Sequence, residues 1–527
     1  MGKRLDRFDY FFLIAGPCLF AGALQIVGKM LSERIFAQAP DYAASSIGFF
    51  KVLLGIIFCV ASYKYVLAYL YHKATKRSYY KDRRAYRRPY GVLKRFYMTA
   101  DPYRLNEETL PVERWQDAEG VILGNAGDRL IKRPSSGVGN LAVFSLPGGG
   151  KTTSQIIPSA MRFAGSVFAI DIKGDILRFV NEHGKRTIRV FDPENPEKSA
   201  HYNPFDGIEK LTELERRTLI EQIALVLLPD AKDHDGKYFV EGGRDYFCGV
   251  SLYMLHRNIE TTLPTIARAI VNGNAFDWAK TVEAGPSEIA KSYLSSYIGT
   301  NEKNVAGAYG TIVKAIRPFA FGALAELLEP DENAVSTDSL ESGCDVYIEI
   351  PQDKIKIYAP VTTIMVQQFL MAFMRREDNS SGAALRPVLF LLDEFPQLQF
   401  DYDTLMAALS TLRSKAVSLF LAFQSIAQAI QRYGDAGFRA IMDTCAYISV
   451  MSAQDPDSRE YFSRLCGTHN YLKVTTTYDA NGQKSRSISE EQEAVFRPAD
   501  FGNLGKDVVI VVNGKYIRAK KTFCYQK

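Results

Sequence analysis

A glycine-rich segment follows a short apolar run and reads Ser145-Leu146-Pro147-Gly148-Gly149-Gly150-Lys151-Thr152. The apolar run, residues 141–144, is typical of a buried strand, and residues 152–161 can form a helix. In a turn of this composition the backbone N–H groups point at phosphate oxygens, and the helix that follows adds the positive end of its dipole. The pattern predicts a phosphate-binding loop between a strand and a helix.

Individual residues of this loop have predicted roles. Lys151 would reach the β- and γ-phosphates, and the Thr152 hydroxyl would bind Mg²⁺. The other predicted nucleotide-binding residues are Pro147, Gly148, Gly149, Gly150 and Thr153. Ser145 stands where the strict G-x-x-x-x-G-K-[ST] pattern has glycine, although its small side chain is compatible with a turn. The alternative interpretation is a chance glycine-rich turn beside a lysine.

An acidic strand end much later in the chain completes the predicted site. Residues 388–392 read Val-Leu-Phe-Leu-Leu, a buried-strand pattern, and Asp393 and Glu394 follow directly. Asp393 would hold the metal through water or directly, and Glu394 would orient the attacking water. Together the two segments predict a site that hydrolyses a nucleoside triphosphate, with ATP and Mg²⁺ as its ligands.

Composition gives only broad limits. The chain has 527 residues, which indicates two to four domains, and its formal net charge of +5 implies no partner for the molecule as a whole. Its seven cysteines show no C-x-x-C spacing and no neighbouring histidine cluster. They are therefore predicted to be reduced thiols rather than zinc ligands or disulfides.

Two apolar stretches near the N-terminus predict membrane spans. Residues 10–28 and 47–71 are each long enough to cross a hydrocarbon layer of ~30 Å. Three basic residues precede the first stretch, and residues 73–95 contain ten Lys/Arg against one acidic residue. The positive-inside rule then places the N-terminus and everything after residue 71 in the cytoplasm, where ATP is available. A cleaved signal peptide, cut near residues 21–23, and a lipoprotein cut at Cys18 are the alternatives.

The soluble part predicts an α/β fold with a doubly wound, mostly parallel sheet. After a β-rich lead-in at 101–132, the predicted strands are 141–144, 166–170, 187–191, 345–350, 388–392, 417–423 and 447–451. The predicted helices of this part are 356–376, 402–414, 425–432 and 457–465. Continuous apolar strands between helices indicate a parallel sheet that is covered on both faces.

A long helical stretch interrupts the alternation. Residues 208–325 have helical periodicity and no convincing strand, which predicts an all-α segment inserted between two strands with its ends close together. Past residue 469 the pattern returns to short β-like pieces, at 471–477 and 508–512. A polar sequence at 479–482 predicts a hairpin turn between strands.

Four further residues are candidates for the same site. Asp171 and Lys173 follow a buried strand, at the edge where doubly wound sheets bind ligands, but a structural turn is the alternative. Gln424 also ends a strand and could contact the γ-phosphate, or it could satisfy a backbone group. Arg413 could stabilise the transferring phosphoryl group of a neighbouring subunit, or it could be a solvated helix end.

The ordered set SLPGGGKT, AIDIKGD, LFLLDEF, LRSK and AFQSIAQAIQRYG resembles conjugative coupling proteins of the TraG/TraD/TrwB type. The resemblance also includes Tyr202-Asn203-Pro204-Phe205, the region 238–246 before a helix, the two spans and the helical insertion. It implies a RecA-like fold with a transmembrane domain at 1–75 and an inserted all-α domain at 208–325. The nucleotide-binding domain would comprise 76–207 and 326–527.

The resemblance also implies a function. The protein would be an inner-membrane homohexameric ATPase that links a relaxase–DNA complex to a type IV secretion channel and drives transfer of single-stranded DNA. Lys151, Thr152, Asp393, Glu394 and Gln424 match family positions, and Arg413 matches the arginine supplied to the neighbour. Two alternatives remain: a receptor or scaffold for secreted proteins that uses nucleotide only to change conformation, and a double-strand DNA translocase.

Overall fold

The computed structural model of the protein describes residues 112–525, except 115–116, 128, 138, 232–233, 300, 379–384, 399 and 479–483. The predicted spans 10–28 and 47–71, the basic run 73–95 and the start of the predicted lead-in lie outside the described residues. Among the residues that are described, one helix, Gln352–Met374, is long and apolar enough to cross a membrane. Because 67% of its most apolar stretch is buried inside the protein, this helix is a core helix.

Strands form the centre of the described region. In chain order they are β1 (Val112–Arg114), β2 (Val121–Asn125), β3 (Arg129–Arg133), β4 (Asn140–Phe144), β5 (Ser166–Asp171), β6 (Ile188–Phe191), β7 (Asp345–Glu349), β8 (Val388–Leu392), β9 (Val417–Phe423), β10 (Cys445–Val450), β11 (Thr468–Tyr478), β12 (Lys484–Ala494), β13 (Asp507–Val512) and β14 (Lys515–Lys520). All except β11 and β12 belong to one sheet, in the order β1-β3-β2-β14-β13-β10-β4-β9-β8-β5-β7-β6.

This sheet has a parallel half and an antiparallel half. From β10 to β6 every neighbouring pair is parallel. From β1 to β10 every neighbouring pair is antiparallel. The seven strands predicted for the core form the parallel half, with bounds within two residues of those expected. The predicted large parallel sheet is confirmed, and the antiparallel half makes the sheet as a whole mixed.

The burial of these segments is the pattern expected of parallel strands in the middle of a sheet. Every residue of β4, β5, β8 and β9 is buried, as expected for strands with both faces covered. A single hydrophobic cluster joins their side chains to those of the surrounding helices. The lead-in contributes β1 to β3, so its predicted β character is confirmed where the structure describes it.

Helices connect and cover the strands. In chain order they are α1 (Ile157–Arg162), α2 (Asp175–His183), α3 (Glu213–Leu227), α4 (His234–His256), α5 (Leu263–Asn272), α6 (Ala275–Glu283), α7 (Glu288–Leu294), α8 (Glu302–Ile316), α9 (Ala323–Leu327), α10 (Thr337–Glu341), α11 (Ile355–Met374), α12 (Tyr402–Thr411), α13 (Ile426–Asp443), α14 (Pro456–Leu465) and α15 (Pro498–Phe501). The helix predicted at 425–432 continues as α13 beyond a kink at Gly434, whose φ is 72°. The region 238–246, expected to precede a helix, lies inside α4.

The helical segment lies between two neighbouring strands, as predicted. Helices α3 to α10 fall between β6 and β7, which pair directly in the sheet. A bridge between His201 and Ala334 holds the two ends of the segment together. Nearby, the Tyr202 hydroxyl donates to Gln368 of α11, and the Gln368 amide donates to the Pro204 carbonyl at 2.9 Å. The domain limits at 208 and 325 remain predictions, because residues of this segment belong to the same hydrophobic cluster as the sheet.

The C-terminal part adds an isolated hairpin and the closing strands. β11 and β12 pair antiparallel over their full lengths, up to Tyr478 and Lys484, on either side of the predicted turn at 479–482. That turn itself lies outside the described residues. The strand expected at 508–512 is β13, which pairs with β10 and so extends the core sheet.

Candidate functional site

The glycine-rich loop continues directly from β4. The Ser145 N–H donates to the Phe423 carbonyl at 3.1 Å, which extends the β4–β9 pairing by one residue before the chain turns away. Gly148 and Gly150 have φ values of 74° and 96°, in the region that favours glycine. Ser145 is not among the residues with positive φ. The departure from the strict pattern at this position therefore does not prevent the turn.

Packing explains the middle glycine of the loop. A Cβ atom on Gly149 would lie 2.2 Å from the Ser145 Oγ and 3.0 Å from the Leu146 carbonyl oxygen. Ser145 is completely buried, so its hydroxyl has little room to move. A larger residue at position 149 would therefore require the Ser145 side chain or the loop to shift.

Sheet order brings the loop and the acidic strand end together. β9 lies between β4 and β8, so the carboxyl ends of β4 and β8 are separated by one strand, about 10 Å. The Lys151 side chain bridges this gap. Its Nζ lies 2.5 Å from the Glu394 Oε1 and 3.0 Å from the Asp393 Oδ1. The predicted convergence of the lysine loop with the two carboxylates is therefore present in the structure.

These three charged groups are buried together, with one ammonium between two carboxylates. Burial by itself lowers the pKa of Lys151, but the carboxylates of Asp393 and Glu394 outweigh it, so the pKa of the ammonium is raised. Burial also raises the pKa of Asp393, and Lys151 opposes that rise. The lysine is therefore charged at neutral pH and acts as the counter-ion of the acidic pair.

Thr152 and Asp393 supply oxygen atoms suited to a magnesium ion. The Thr152 Oγ1 lies 3.5 Å from the Asp393 Oδ2. Mg²⁺ prefers hard oxygen ligands and normally keeps several waters, with one or two carboxylates and substrate phosphates as its other ligands. Among the described residues no group of three or more His, Cys, Asp or Glu side chains could hold a metal alone. The oxygen atoms of Thr152 and Asp393 therefore suit a metal ion whose other ligands are phosphate oxygens and water.

Glu394 is held in an unusual conformation by several contacts. Its φ is 52°, in the left-handed region that costs a non-glycine residue of order 1 kcal/mol or more. The Glu394 N–H donates to the Asp393 Oδ1 at 3.0 Å, and its carbonyl accepts from the Gln397 N–H at 2.9 Å. Its Oε2 accepts from the Gln424 Nε2 at 2.7 Å. The carboxylate is thus held from both sides, by Lys151 and by Gln424.

Gln424 occupies the predicted position at the end of β9. Its amide contacts the Glu394 carboxylate, and its Oε1 accepts from the Gln428 Nε2 at 3.4 Å. This side chain therefore links the acidic strand end to the start of α13. The alternative, satisfaction of a backbone group, is not what these contacts show.

Asp171 and Lys173 take part in the turn that follows β5. Asp171 accepts from the backbone N–H groups of Leu177, at 2.8 Å, and Lys173, at 3.3 Å. The carboxylate thereby satisfies donors around the start of α2, and burial raises its pKa. The Lys173 side chain is exposed. The contacts of both residues match the structural alternative.

Arg413 lies away from the site of its own chain. It is exposed in the turn Leu412–Lys415, which precedes β9. Since Gln424 follows the other end of this seven-residue strand, Arg413 lies at the opposite edge of the sheet, ~20 Å away. This arginine could reach a nucleotide only if the nucleotide were bound to another subunit.

Sequence reasoning missed a contribution from the C-terminus. The Lys521 Nζ donates to the Gly149 carbonyl at 2.8 Å, and the Cys524 N–H donates to the Thr153 carbonyl at 2.9 Å. β14 runs antiparallel to β13, and β13 runs antiparallel to β10, so β14 ends at the same edge as β4. Only this double reversal places the segment on the loop, and no local motif predicts it.

The fold and the site together define an α/β protein of the P-loop class, with an acidic strand end beside the loop. A family described as "Type IV secretory system Conjugative DNA transfer" matches residues 113–527 through its sequence model. The chain belongs to this family.

Relatives and solved structures agree with this assignment. The chain is 26% identical over 436 residues to the probable conjugal transfer protein TraG of Sinorhizobium fredii, covering 78% of this chain and 66% of that protein. It is 23% identical over 385 residues to the type IV secretion system-coupling protein VirD4 of Bartonella henselae, covering 69% and 58%. The chain thus spans less than two thirds of the length of these curated relatives.

Two solved structures of the coupling protein TrwB, one unbound and one with nucleotide, show the same fold. The unbound conjugative coupling protein TrwBdeltaN70 superposes with a TM-score of 0.60 at 15% identity, covering 78% of this chain and 91% of that one. TrwB in complex with ADP and Mg²⁺ gives a TM-score of 0.58 at 15% identity, covering 77% and 89%. At this identity the likeness establishes the fold alone: a mixed α/β protein with a large parallel sheet.

Proposed function

We propose that this protein is an inner-membrane coupling ATPase. It would recruit a relaxase–DNA complex to a type IV secretion channel and use ATP hydrolysis to drive conjugative transfer of single-stranded DNA. The observation that carries the proposal is the buried contact of Lys151 with Asp393 and Glu394, because it unites a phosphate-binding loop with a hydrolytic carboxylate pair.

The contacts of Lys151 suggest how the residues would act. Its ammonium forms ion pairs with both carboxylates. Phosphate oxygens on the loop would attract this ammonium away from Glu394, which would then be free to orient a water molecule. Thr152 and Asp393 would hold Mg²⁺, which when bound neutralises charge on the phosphates. Gln424, already hydrogen-bonded to Glu394, would keep the freed carboxylate in place.

The exposed position of Arg413 supports a ring of identical subunits. An arginine supplied by a neighbour is worth roughly 10³–10⁵ in rate in related phosphoryl transfers. Arg413 is exposed at the sheet edge opposite its own site, where only a neighbouring subunit could use it. A homohexamer anchored through the two predicted spans would place such sites around a central path for DNA.

The test is ATP hydrolysis by the purified chain in detergent, with and without single-stranded DNA. We expect hydrolysis that increases with DNA and falls as salt rises, since contacts with phosphates release counter-ions. Glu394→Gln should bind ATP but not hydrolyse it, and the exposed Arg178→Ala on α2 is the matched control. Absence of hydrolysis at every DNA and protein concentration would refute the proposal.

A second candidate is a receptor for secreted proteins that uses nucleotide only to change conformation. Large apolar side chains on the helical segment favour it: Leu214 is 71% exposed, and Phe321 is 58% exposed. Deleting the segment would open the shared hydrophobic core, so point changes are the better test. Leu214→Asp and Phe321→Asp should weaken cargo binding and leave nucleotide binding unchanged if this candidate is right.

A further inference from the structure

The C-terminal residues 521–525, here called the tail segment, lie against the phosphate-binding loop. They follow β14 and reach the loop from the side of β10, whereas the Asp393–Glu394 pair reaches it from the side of β8. The loop therefore has two flanks. One flank carries the acidic pair, and the other carries the tail segment.

A backbone hydrogen bond docks the tail segment on the helix that follows the loop. The first turn of this helix is of the π type, and the Ile157 N–H donates to the Thr152 carbonyl five residues earlier. The next bond of this pattern would need an N–H at Pro158, and proline has none. The Thr153 carbonyl accepts instead from the Cys524 N–H at 2.9 Å. The tail segment thus supplies a donor that the helix lacks.

Two further contacts fix the tail segment on the loop. The buried Lys521 ammonium donates to the Gly149 carbonyl at 2.8 Å. The edge of the Phe523 ring lies 3.3 Å from the position that a Cβ atom on Gly150 would occupy. A side chain larger than hydrogen at position 150 would therefore press on this ring.

The segment ends in a stacked aromatic pair with one open face. The rings of Phe523 and Tyr525 have centroids 5.3 Å apart and planes 19° apart. Phe523 is partly buried against the loop, while Tyr525 is 66% exposed. An exposed aromatic ring held parallel to another, beside a phosphate-binding loop, offers a flat surface to a further planar group.

We infer that Tyr525, supported by Phe523, stacks on the base of the nucleotide whose phosphates occupy the loop. This inference rests on the proposed function. Lys151 and Glu394 mark the flank where the terminal phosphate would lie, since the loop lysine reaches the β- and γ-phosphates. The sugar and base must then extend toward the other flank, where the aromatic pair is located. Every base has a π-face, so the contact would favour nucleosides over bare phosphate chains without reading a sequence.

The experiment compares binding of a non-hydrolysable ATP analogue with binding of inorganic tripolyphosphate, each with Mg²⁺, to the full chain in detergent. Tyr525→Ala should weaken binding of the analogue by roughly five- to a hundredfold and leave tripolyphosphate binding unchanged. Tyr525→Phe keeps the ring and should retain wild-type affinity. Phe321→Ala, which removes an exposed ring far along the chain, is the control and should change neither.

The outcomes separate this inference from the proposed function. An equal loss of both ligands in Tyr525→Ala would mean that the tail segment only supports the loop, and it would overturn the stacking role. Unchanged affinity for the analogue would overturn it as well. If the unaltered chain binds neither ligand, the proposed function itself fails, and the inference fails with it.

Discussion

Replacing Lys151 with alanine should destabilise the protein strongly even before any ligand is considered. The ammonium lies 2.5 Å from Glu394 and 3.0 Å from Asp393, and all three side chains are about nine-tenths buried. The variant leaves two buried carboxylates without a counter-ion. Removing one partner of a buried ion pair typically costs ~3–5 kcal/mol, and we expect a loss in this range at pH 7.

The pH dependence of this loss is a second signature. Without the lysine, the folded-state pKa of Asp393 should rise further above its unfolded value. An acid whose pKa is higher in the folded than in the unfolded state lowers the free energy of unfolding at pH values above that pKa. This lost stability returns as the pH falls through the pKa. The deficit of Lys151→Ala should therefore shrink as the pH falls from 7 toward 4.

Urea unfolding at several pH values, without nucleotide, measures this effect on a form of the chain that begins at Val92, where the larger compact unit begins. Arg178→Ala, which removes an exposed ion pair with Asp175, should change stability by no more than ~0.5 kcal/mol. Adding Glu394→Gln to Lys151→Ala should restore part of the loss. A Lys151→Ala variant as stable as the unaltered protein at pH 7 would refute the reasoning.

Three further predictions concern the loop, the neighbouring subunit and the metal. Gly149→Ala should abolish nucleotide binding, because its Cβ would lie 2.2 Å from the Ser145 Oγ, and Ser145→Gly in the same chain should recover part of the affinity measured by titration. Arg413→Ala should lower the hydrolysis rate by roughly 10³-fold and leave nucleotide affinity unchanged. Mixing Arg413→Ala chains with Glu394→Gln chains should restore hydrolysis, because each variant supplies the group that the other lacks. If mixing gives no recovery, Arg413 does not act between subunits. Because burial raises the pKa of Asp393, affinity for Mg²⁺-nucleotide should fall with decreasing pH at a midpoint above 3.8, and Asp393→Asn should remove this dependence.

Much of the parallel half of the sheet follows from the sequence. A run such as Val388–Leu392 has no polar residue, and burial on both faces is the simplest way to accommodate it. Parallel strands also place their carboxyl ends at one edge, so residues that follow β4, β8 and β9 were expected to meet. Lys151, Glu394 and Gln424 do meet there. The same rule excludes Arg413 from its own chain's site, because this residue precedes its strand.

Other features depend on long-range pairing that no local pattern encodes. The antiparallel half arises because β13 returns beside β10 and β14 lies beside β13, and their short sequences do not specify a partner. The docking of residues 521–525 on the loop depends on this return. Asp171 shows a different limit. Its position at a strand end suits both a metal site and a turn, and its hydrogen bonds to backbone N–H groups become visible only in the structure.

The central claim is that the lysine loop and the acidic strand end surround the same metal-bound triphosphate. The measurement uses Mn²⁺ in place of Mg²⁺ together with a non-hydrolysable ATP analogue. It records the hyperfine coupling between the bound Mn²⁺ and the phosphorus nuclei of the analogue. We predict that the coupling is present in the unaltered chain and lost in both Thr152→Ala and Asp393→Asn, which lie on the two remote segments. Coupling of equal strength in Asp393→Asn would contradict the account.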